Sequence, residues 1–274
     1  MNHDAKAKAG SPLCAILIAA NKTRVDDLFL DSDYWYDLVV QYRLLQEAGF
    51  ARDDIFVVYG DGSDFPSIHR DYSTSQLFNH KITTLSLTKQ HVEDIFDLAN
   101  QHLQKGGFLY VWWFGHGRQD PFSPSCKSEL YIEEGNGLYI PSATLRGWVD
   151  KVDRAGCVTL AVGTCNSGQV GDAFASKQRT IVLTAAACDE QAFDEPANLS
   201  CNHLPASEFN YLQSEALRQM NICGQQVASD LNGDHEVSLQ ETGAYLTGKW
   251  SQSKPLIFDP SALADKTFLN RCPP

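Results

Sequence analysis

Two apolar runs that stop on reactive residues constrain this chain more than any other feature. Leu109-Tyr110-Val111-Trp112-Trp113-Phe114 ends at Gly115-His116-Gly117. Val158-Thr159-Leu160-Ala161-Val162 ends at Gly163-Thr164-Cys165-Asn166-Ser167-Gly168. Unbroken apolar runs of this length suit strands covered on both faces, and in open parallel sheets the carboxyl ends of such strands carry the site. One run delivers a histidine and the other a cysteine. That is the pair a thiol nucleophile and its acid/base partner require.

The rest of the chain alternates in the same manner. Leu13–Ala20 reads as a first strand, and Tyr34–Ala48 as a helix with Leu38, Val39, Tyr42 and Leu45 on one face and Gly49 as its stop. Asp54–Tyr59 is a second strand, and the polar stretch from Asp61 to Ser86 a long loop. Thr88–Leu103 is a helix capped by Thr88, leading to the strand Phe108–Phe114. Leu130–Ile132 and Leu138–Ile140 form a hairpin, and a helix capped by Ser142 or Thr144 runs to Val152. Val158–Val162 and Thr180–Ala185 are further strands, and Ser207–Met220 and Ser238–Trp250 are helices. Lys254–Pro260 reads as an extended edge segment. Lone strands separated by helices predict an α/β fold, a mostly parallel central sheet with helices on both faces. Met1–Pro12 is polar and expected to be flexible, with a single domain over 13–274. Trp112 and Trp113, adjacent on a strand, should face opposite sides and pack the core beneath the site.

A formal net charge of −12 argues against nucleic acid and anionic membrane surfaces as partners and is compatible with cation binding. No apolar run approaches the roughly 20 residues that span a bilayer. The eight cysteines form no CxxC pair, so no zinc site or redox motif is expected. Cys14 and Cys157 lie in strand-like runs and read as inert core residues. Reduced thiols and a cytoplasmic location are the expectation.

The chemistry follows from the two strand ends. The thiolate is the nucleophile, the histidine holds its proton and returns it to a leaving amine, and backbone N–H groups must receive the oxyanion. Gly117 and Cys165 itself are the natural donors. Gly163 and Gly168 allow the tight turn that exposes the sulfur.

These strand-Gly115-His116-Gly117 and strand-Thr164-Cys165-Asn166-Ser167-Gly168 segments resemble the caspase-fold cysteine peptidases, in which the histidine also lies about 50 residues upstream of the cysteine. Leu183-Thr184-Ala185-Ala186 after the cysteine, and Gln41–Leu45 through Gly49-Phe50 to Asp53-Asp54-Ile55 before it, are similar to the legumain-like family within that group. The resemblance spans residues 13–215. It implies a caspase-like three-layer sandwich and a cysteine endopeptidase acting on protein or peptide substrates. Cys165 would attack, His116 would exchange protons, and Gly117 would help bind the oxyanion. It also implies synthesis as a zymogen, with the loops at 61–86 and 187–206 as processing sites.

The chain departs from the legumain pocket. Where legumains place an Arg-His pair, a glutamate, a serine and an aspartate around an asparagine side chain, this chain has Asp33-Tyr34, Gly163, Gln191 and Asn210. The residue cleaved after is therefore asparagine or a basic residue. Asp31 and Asp33, with Asp189 and Glu190 as further acids, would face Lys or Arg through charge-assisted bonds. Equally, Asp31, Ser32 and Asp33 would cap the helix that follows. The third member of the legumain triad falls on Asp31, with Asn21 as the alternative.

Near the C-terminus, Asp230, Asn232, Asp234, Glu236, Ser238 and Glu241 stand at the six ligand positions of a twelve-residue calcium loop. His235 occupies the position that favours glycine. Calcium there would be structural or regulatory, and an acidic helix-capping turn that binds no metal is the other reading. For the whole chain, the other readings are an inactive or calcium-responsive interaction module of the same fold, and a transpeptidase or ligase using the same dyad.

Overall fold

In the computed structural model, which describes residues 10–20, 32–66, 73–119, 128–132, 137–195, 206–249 and 252–273, the apolar runs become the strands of one sheet. The elements in chain order are β1 (Ser11–Ala20), α1 (Ser32–Glu47), β2 (Ile55–Tyr59), α2 (Thr74–Leu77), α3 (Lys89–His102), β3 (Leu103–Gly115), β4 (Gly117–Gln119), β5 (Ser128–Ile132), β6 (Leu138–Pro141), α4 (Ser142–Lys151), β7 (Ala155–Gly163), α5 (Gly168–Phe174), β8 (Thr180–Thr184), β9 (Asp194–Glu195), β10 (Ala206–Ser207), α6 (Glu208–Arg218), α7 (Leu239–Lys249) and β11 (Leu256–Phe258). The sheet runs β2-β1-β3-β7-β8-β11. Its first five strands are parallel, and β11 is antiparallel on β8. β11 is the edge segment expected after Lys254.

The strand period of two sorts the core into two layers. Leu17, Ala19, Tyr110, Trp112, Phe114, Ala161 and Leu183 face α1, α6 and α7. Ile16, Ile18, Val111, Trp113, Leu160, Val162 and Val182 face α3, α4 and α5. The result is the expected three-layer sandwich. Trp112 and Trp113 are fully buried on opposite faces. Each removes on the order of 200 Å² from water, roughly 5 kcal/mol of gross stabilisation.

Local signals set the ends of the helices. The Thr88 side chain accepts from His91 N–H at 3.1 Å and caps α3. Past α1, Gly49 takes φ +95°, which lets Gly49 N–H and Phe50 N–H reach the Gln46 and Leu45 carbonyls.

Within the polar stretch, residues 61–66 and 73–86 are held by hydrogen bonds rather than free as a loop. Asp64 accepts hydrogen bonds from the Ile82 and Thr83 N–H groups and from the Thr74 and Thr83 hydroxyls. That holds residues 82–87 along β2, where Thr84 and Leu85 N–H donate to the Val57 carbonyl. The segment covers an otherwise open sheet edge. The hairpin β5–β6 gains a third strand, β4, to make a small antiparallel sheet beside the main one.

The expectation of reduced thiols is corrected. Cys157 and Cys272 form a disulfide, and Cys188 and Cys223 are also disulfide-bonded. Cys157 is therefore not the inert core thiol it resembles. It stands near the start of β7, where the C-terminal segment passes, and the two Cα atoms lie 6.4 Å apart, inside disulfide range. Cys14 and Cys165 are free thiols. No helix among the described residues is long and apolar enough to cross a membrane.

Candidate active site

β3 and β7 are adjacent and parallel, with Phe114 paired to Gly163 as the last step of their register. Two residues further along each strand come His116 and Cys165. Carrying the register forward sets one opposite the other. A direct contact shows that the chains stay together past the ladder: a Cβ built on Gly117 would lie 2.2 Å from the Cys165 carbonyl oxygen and 2.8 Å from Thr164 Oγ1. Only glycine fits there, and its presence brings the backbone after His116 against the backbone of Cys165.

The cysteine turn is stitched down on both sides. Asn166 takes φ +57°, a left-handed conformation that asparagine tolerates better than most residues. Its N–H donates to the Glu190 carbonyl at 2.7 Å, and its amide donates to the Cys188 carbonyl at 2.9 Å. Ser167 Oγ accepts from Ala186 N–H at 3.1 Å. On the other side, Ser128 of β5 donates through its hydroxyl to the Asn166 carbonyl and through its N–H to Gln169. Tyr131 of the same strand donates its N–H to the His116 carbonyl at 3.0 Å. A single short strand thus holds both halves of the site.

Cys165 is half-buried and directs its thiol to the Ala192 carbonyl, with Sγ 3.7 Å away. Its backbone N–H donates to no described group, which leaves it available to an oxyanion. The other free thiol, Cys14, is fully buried on β1, and burial pushes its titration far up, with Asp54 adding to the effect. It is inert, as expected.

His116 is exposed and stands in an aromatic surround. The Tyr34 hydroxyl lies 3.2 Å from its Nε2, and the Tyr34 and Tyr131 rings each stand edge-on with centroids 6.0 Å from the imidazole. Among the described residues, no hydrogen bond joins His116 to Cys165. Such bonds are commonly long before substrate binds. Tyr34 was missed as a partner of the histidine in the sequence, where it stood only as a replacement for a legumain pocket residue.

The expected pocket residues are dispersed. Gly163 lies over Phe114, Phe209 and Asn210, with the Asn210 amide oxygen 3.5 Å from where a Cβ would stand. Asn210 is fully buried and accepts from Trp112 Nε1 at 2.8 Å. The lining beneath Gly163 is therefore neutral. Glu190 is occupied locally, its Oε2 accepting from Ala187 N–H at 3.2 Å and Lys254 N–H at 2.8 Å. Asp189 is exposed. Asn21 and Asp31 lie outside the described residues, as does the side chain of Asp33. A cavity of about 660 Å³ opens among Arg43, Arg218, Met220, Ile222 and Arg271, away from both His116 and Cys165.

The acidic loop 230–241 coils on its own carboxylates. Asp230 accepts from the Gly233 and His235 N–H groups, Asn232 Oδ1 from Asp234 N–H, and Asp234 Oδ1 from Glu236 N–H. Glu241 accepts four hydrogen bonds, from the N–H groups of Leu231, Asn232 and Ser238 and from the Ser238 hydroxyl. Ser238 Oγ in turn accepts from Glu241 N–H at 3.2 Å, a reciprocal cap on α7. His235 sits at φ +71°, the left-handed turn its position demands. The Glu236 carboxylate pairs with Arg271. Among the described residues, no three His, Cys, Asp or Glu side chains converge as a metal cluster. A cation bound bidentately by Glu241 would have to turn that carboxylate away from donors it already satisfies.

Compared by sequence, the chain matches no protein-family profile and no curated protein. Solved structures do resemble it. Caspase-1 from Spodoptera frugiperda superposes with a TM-score of 0.53 at 12% identity, over 96% of this chain and 94% of that one. Protein GSU0716 from Geobacter sulfurreducens superposes with a TM-score of 0.52 at 14% identity, over 89% of this chain and 92% of that one. The fold is caspase-like.

Proposed function

We propose that this protein is a cysteine endopeptidase of the caspase fold, legumain-like in its motifs. The observation that carries the reading is the register of β3 and β7, which brings His116 and Cys165 to facing strand ends with Gly117 packed on the Cys165 carbonyl. Cys165 Sγ forms a bond to the scissile carbonyl carbon as its proton passes to His116. The N–H groups of Gly117 and Cys165 receive the oxyanion. Collapse of the adduct breaks the C–N bond, and the proton on His116 leaves with the amine. Water, deprotonated by His116, then attacks the thioester. The C–S bond breaks and the thiol regains its proton.

A neutral residue before the cleaved bond is the preferred specificity. Gly163 and Asn210, which match legumain pocket positions, lie together over an uncharged floor, and Glu190 is already engaged. Cleavage of a positional fluorogenic peptide library by the wild type, set beside Cys165→Ala, tests both statements. Cleavage lost in the variant, with asparagine preferred, is the expected result. Preference for Lys or Arg would return Asp31, Asp33 and Asp189 to the pocket. No cleavage at all would favour an interaction module.

A structural calcium ion at Asp230, Asn232, Asp234, the Glu236 carbonyl, Ser238 and Glu241 is part of this proposal only if Glu241 gives up the four donors it now satisfies. Calcium should raise the Tm of the wild type and leave that of Asp230→Asn/Asp234→Asn unchanged. Equal melting with and without calcium would remove the ion from the account.

A further inference from the structure

The geometry points to Tyr34 as the positioning residue for His116, an inference that rests on the peptidase reading of the site. A histidine that must accept a proton from a thiol at one ring nitrogen needs its other nitrogen protonated and held. In this site Nε2 is the held nitrogen, because the Tyr34 hydroxyl lies 3.2 Å from it. Nδ1 has no partner among the described residues and is the nitrogen left for Cys165. Tyr34 Oη accepts from Nε2–H, and it continues to accept once the ring has taken the thiol proton. The bond is therefore present in both charge states and is stronger in the charged one.

The phenol itself is fixed. Tyr34 lies in the first turn of α1 and packs on Phe114, ring centroids 4.9 Å apart, and Phe114 stands two residues before His116 on β3. The strand that carries the histidine also carries the ring that aligns its partner. Tyr131, the other aromatic beside the imidazole, stands edge-on, with its N–H on the His116 backbone carbonyl. It therefore supports the backbone, whereas Tyr34 addresses the ring.

Tyr34→Phe removes only the hydroxyl and keeps the packing on Phe114. Two measurements on the full chain decide the matter. The first is ring ¹⁵N NMR of His116, which reads the tautomer directly and needs no substrate. The wild type should show the Nε2-protonated form, and Tyr34→Phe a mixture of both forms. The second is steady-state cleavage of the best library peptide. Tyr34→Phe should lower kcat by about ten- to a hundredfold, the worth of one hydrogen bond to a charged group, with KM held within about twofold. An Nδ1-protonated wild-type ring, or a tautomer unchanged by the substitution, would overturn the inference. So would an effect confined to KM, which would make Tyr34 a substrate contact. If no peptide is cleaved, the peptidase reading fails, and the tautomer result alone then supports or overturns the hold of Tyr34 on the ring.

Discussion

Gly117 has no room for a side chain, and the atom in its way is a backbone oxygen that cannot swing aside. Gly117→Ala must therefore separate β3 from the cysteine turn or rotate the turn itself. On the proposed peptidase reading, where a displacement near 1 Å between nucleophile and base costs on the order of a hundredfold, kcat/KM should fall by about that much or more while the far-UV circular dichroism is kept. At this scale the placement of His116 and Cys165 at neighbouring strand ends was legible, since each closes an apolar run beside glycine. Tyr34 was not. The resemblance points to an amide or carboxylate at Asn21 or Asp31 as the third group, whereas a phenol in the first turn of a helix carries no mark of a contact with His116. Its contact with His116 depends on where α1 lands on the sheet, and no local spacing encodes that.

Among the elements, α6 and β3 are joined by a polar contact inside an apolar layer. Trp112 Nε1 donates to the Asn210 amide oxygen, and Asn210 Nδ2 already lacks a partner among the described residues. Trp112→Phe leaves both ends of that buried amide unmatched and opens a void in the same core layer. The expected cost is about 2–3 kcal/mol, read as a lower urea midpoint with unchanged m-value. The acidic loop before α7 has a pH signature. Burial pushes the Glu241 carboxyl up, but hydrogen bonds from the Ser238 N–H and hydroxyl and from the Leu231 and Asn232 N–H groups outweigh it and hold the carboxyl below its ordinary value. A carboxyl depressed in the folded state contributes its full stability above the unfolded value of about 4.3 and loses it as pH falls through the folded value. The difference in Tm between the wild type and Glu241→Gln should thus be constant from about pH 6 to 8 and shrink below about pH 4. The strands were legible from their apolar runs, but β3 begins at Leu103, inside a stretch whose Gln104, Lys105, Gly106 and Gly107 look like a turn. A register shift at Gly107 absorbs the irregularity. The edge cover at 82–87 was hidden for a similar reason, because Asp64 builds it from a distance.

Across the whole molecule, a disulfide ties the C-terminal segment to the start of β7. Cys157 and Cys272 close a loop of 115 residues, a constraint worth about 4–5 kcal/mol in chain-entropy terms. Cys272→Ser should lower Tm by about 5–15 °C, and a reductant should bring the wild type toward the variant. Scattered cysteines do not announce their partners, since pairing depends on the folded distance. The cytoplasmic expectation rests on a polar N-terminal stretch without the pattern of a secretory signal, and disulfides such as Cys157–Cys272 are rare in that compartment. We propose instead an oxidising compartment, checked by the mass gain on reduction of protein purified from its natural source under alkylating conditions. The small sheet has a consequence of a mechanical kind. Two strand ends anchored separately would jitter independently, and the gap between nitrogen and sulfur would inherit the noise of both. β5 grips the His116 carbonyl through Tyr131 and the Asn166 carbonyl through Ser128, three residues apart on one stiff rod. Both ends thus hang from one support, like tines cut from one fork.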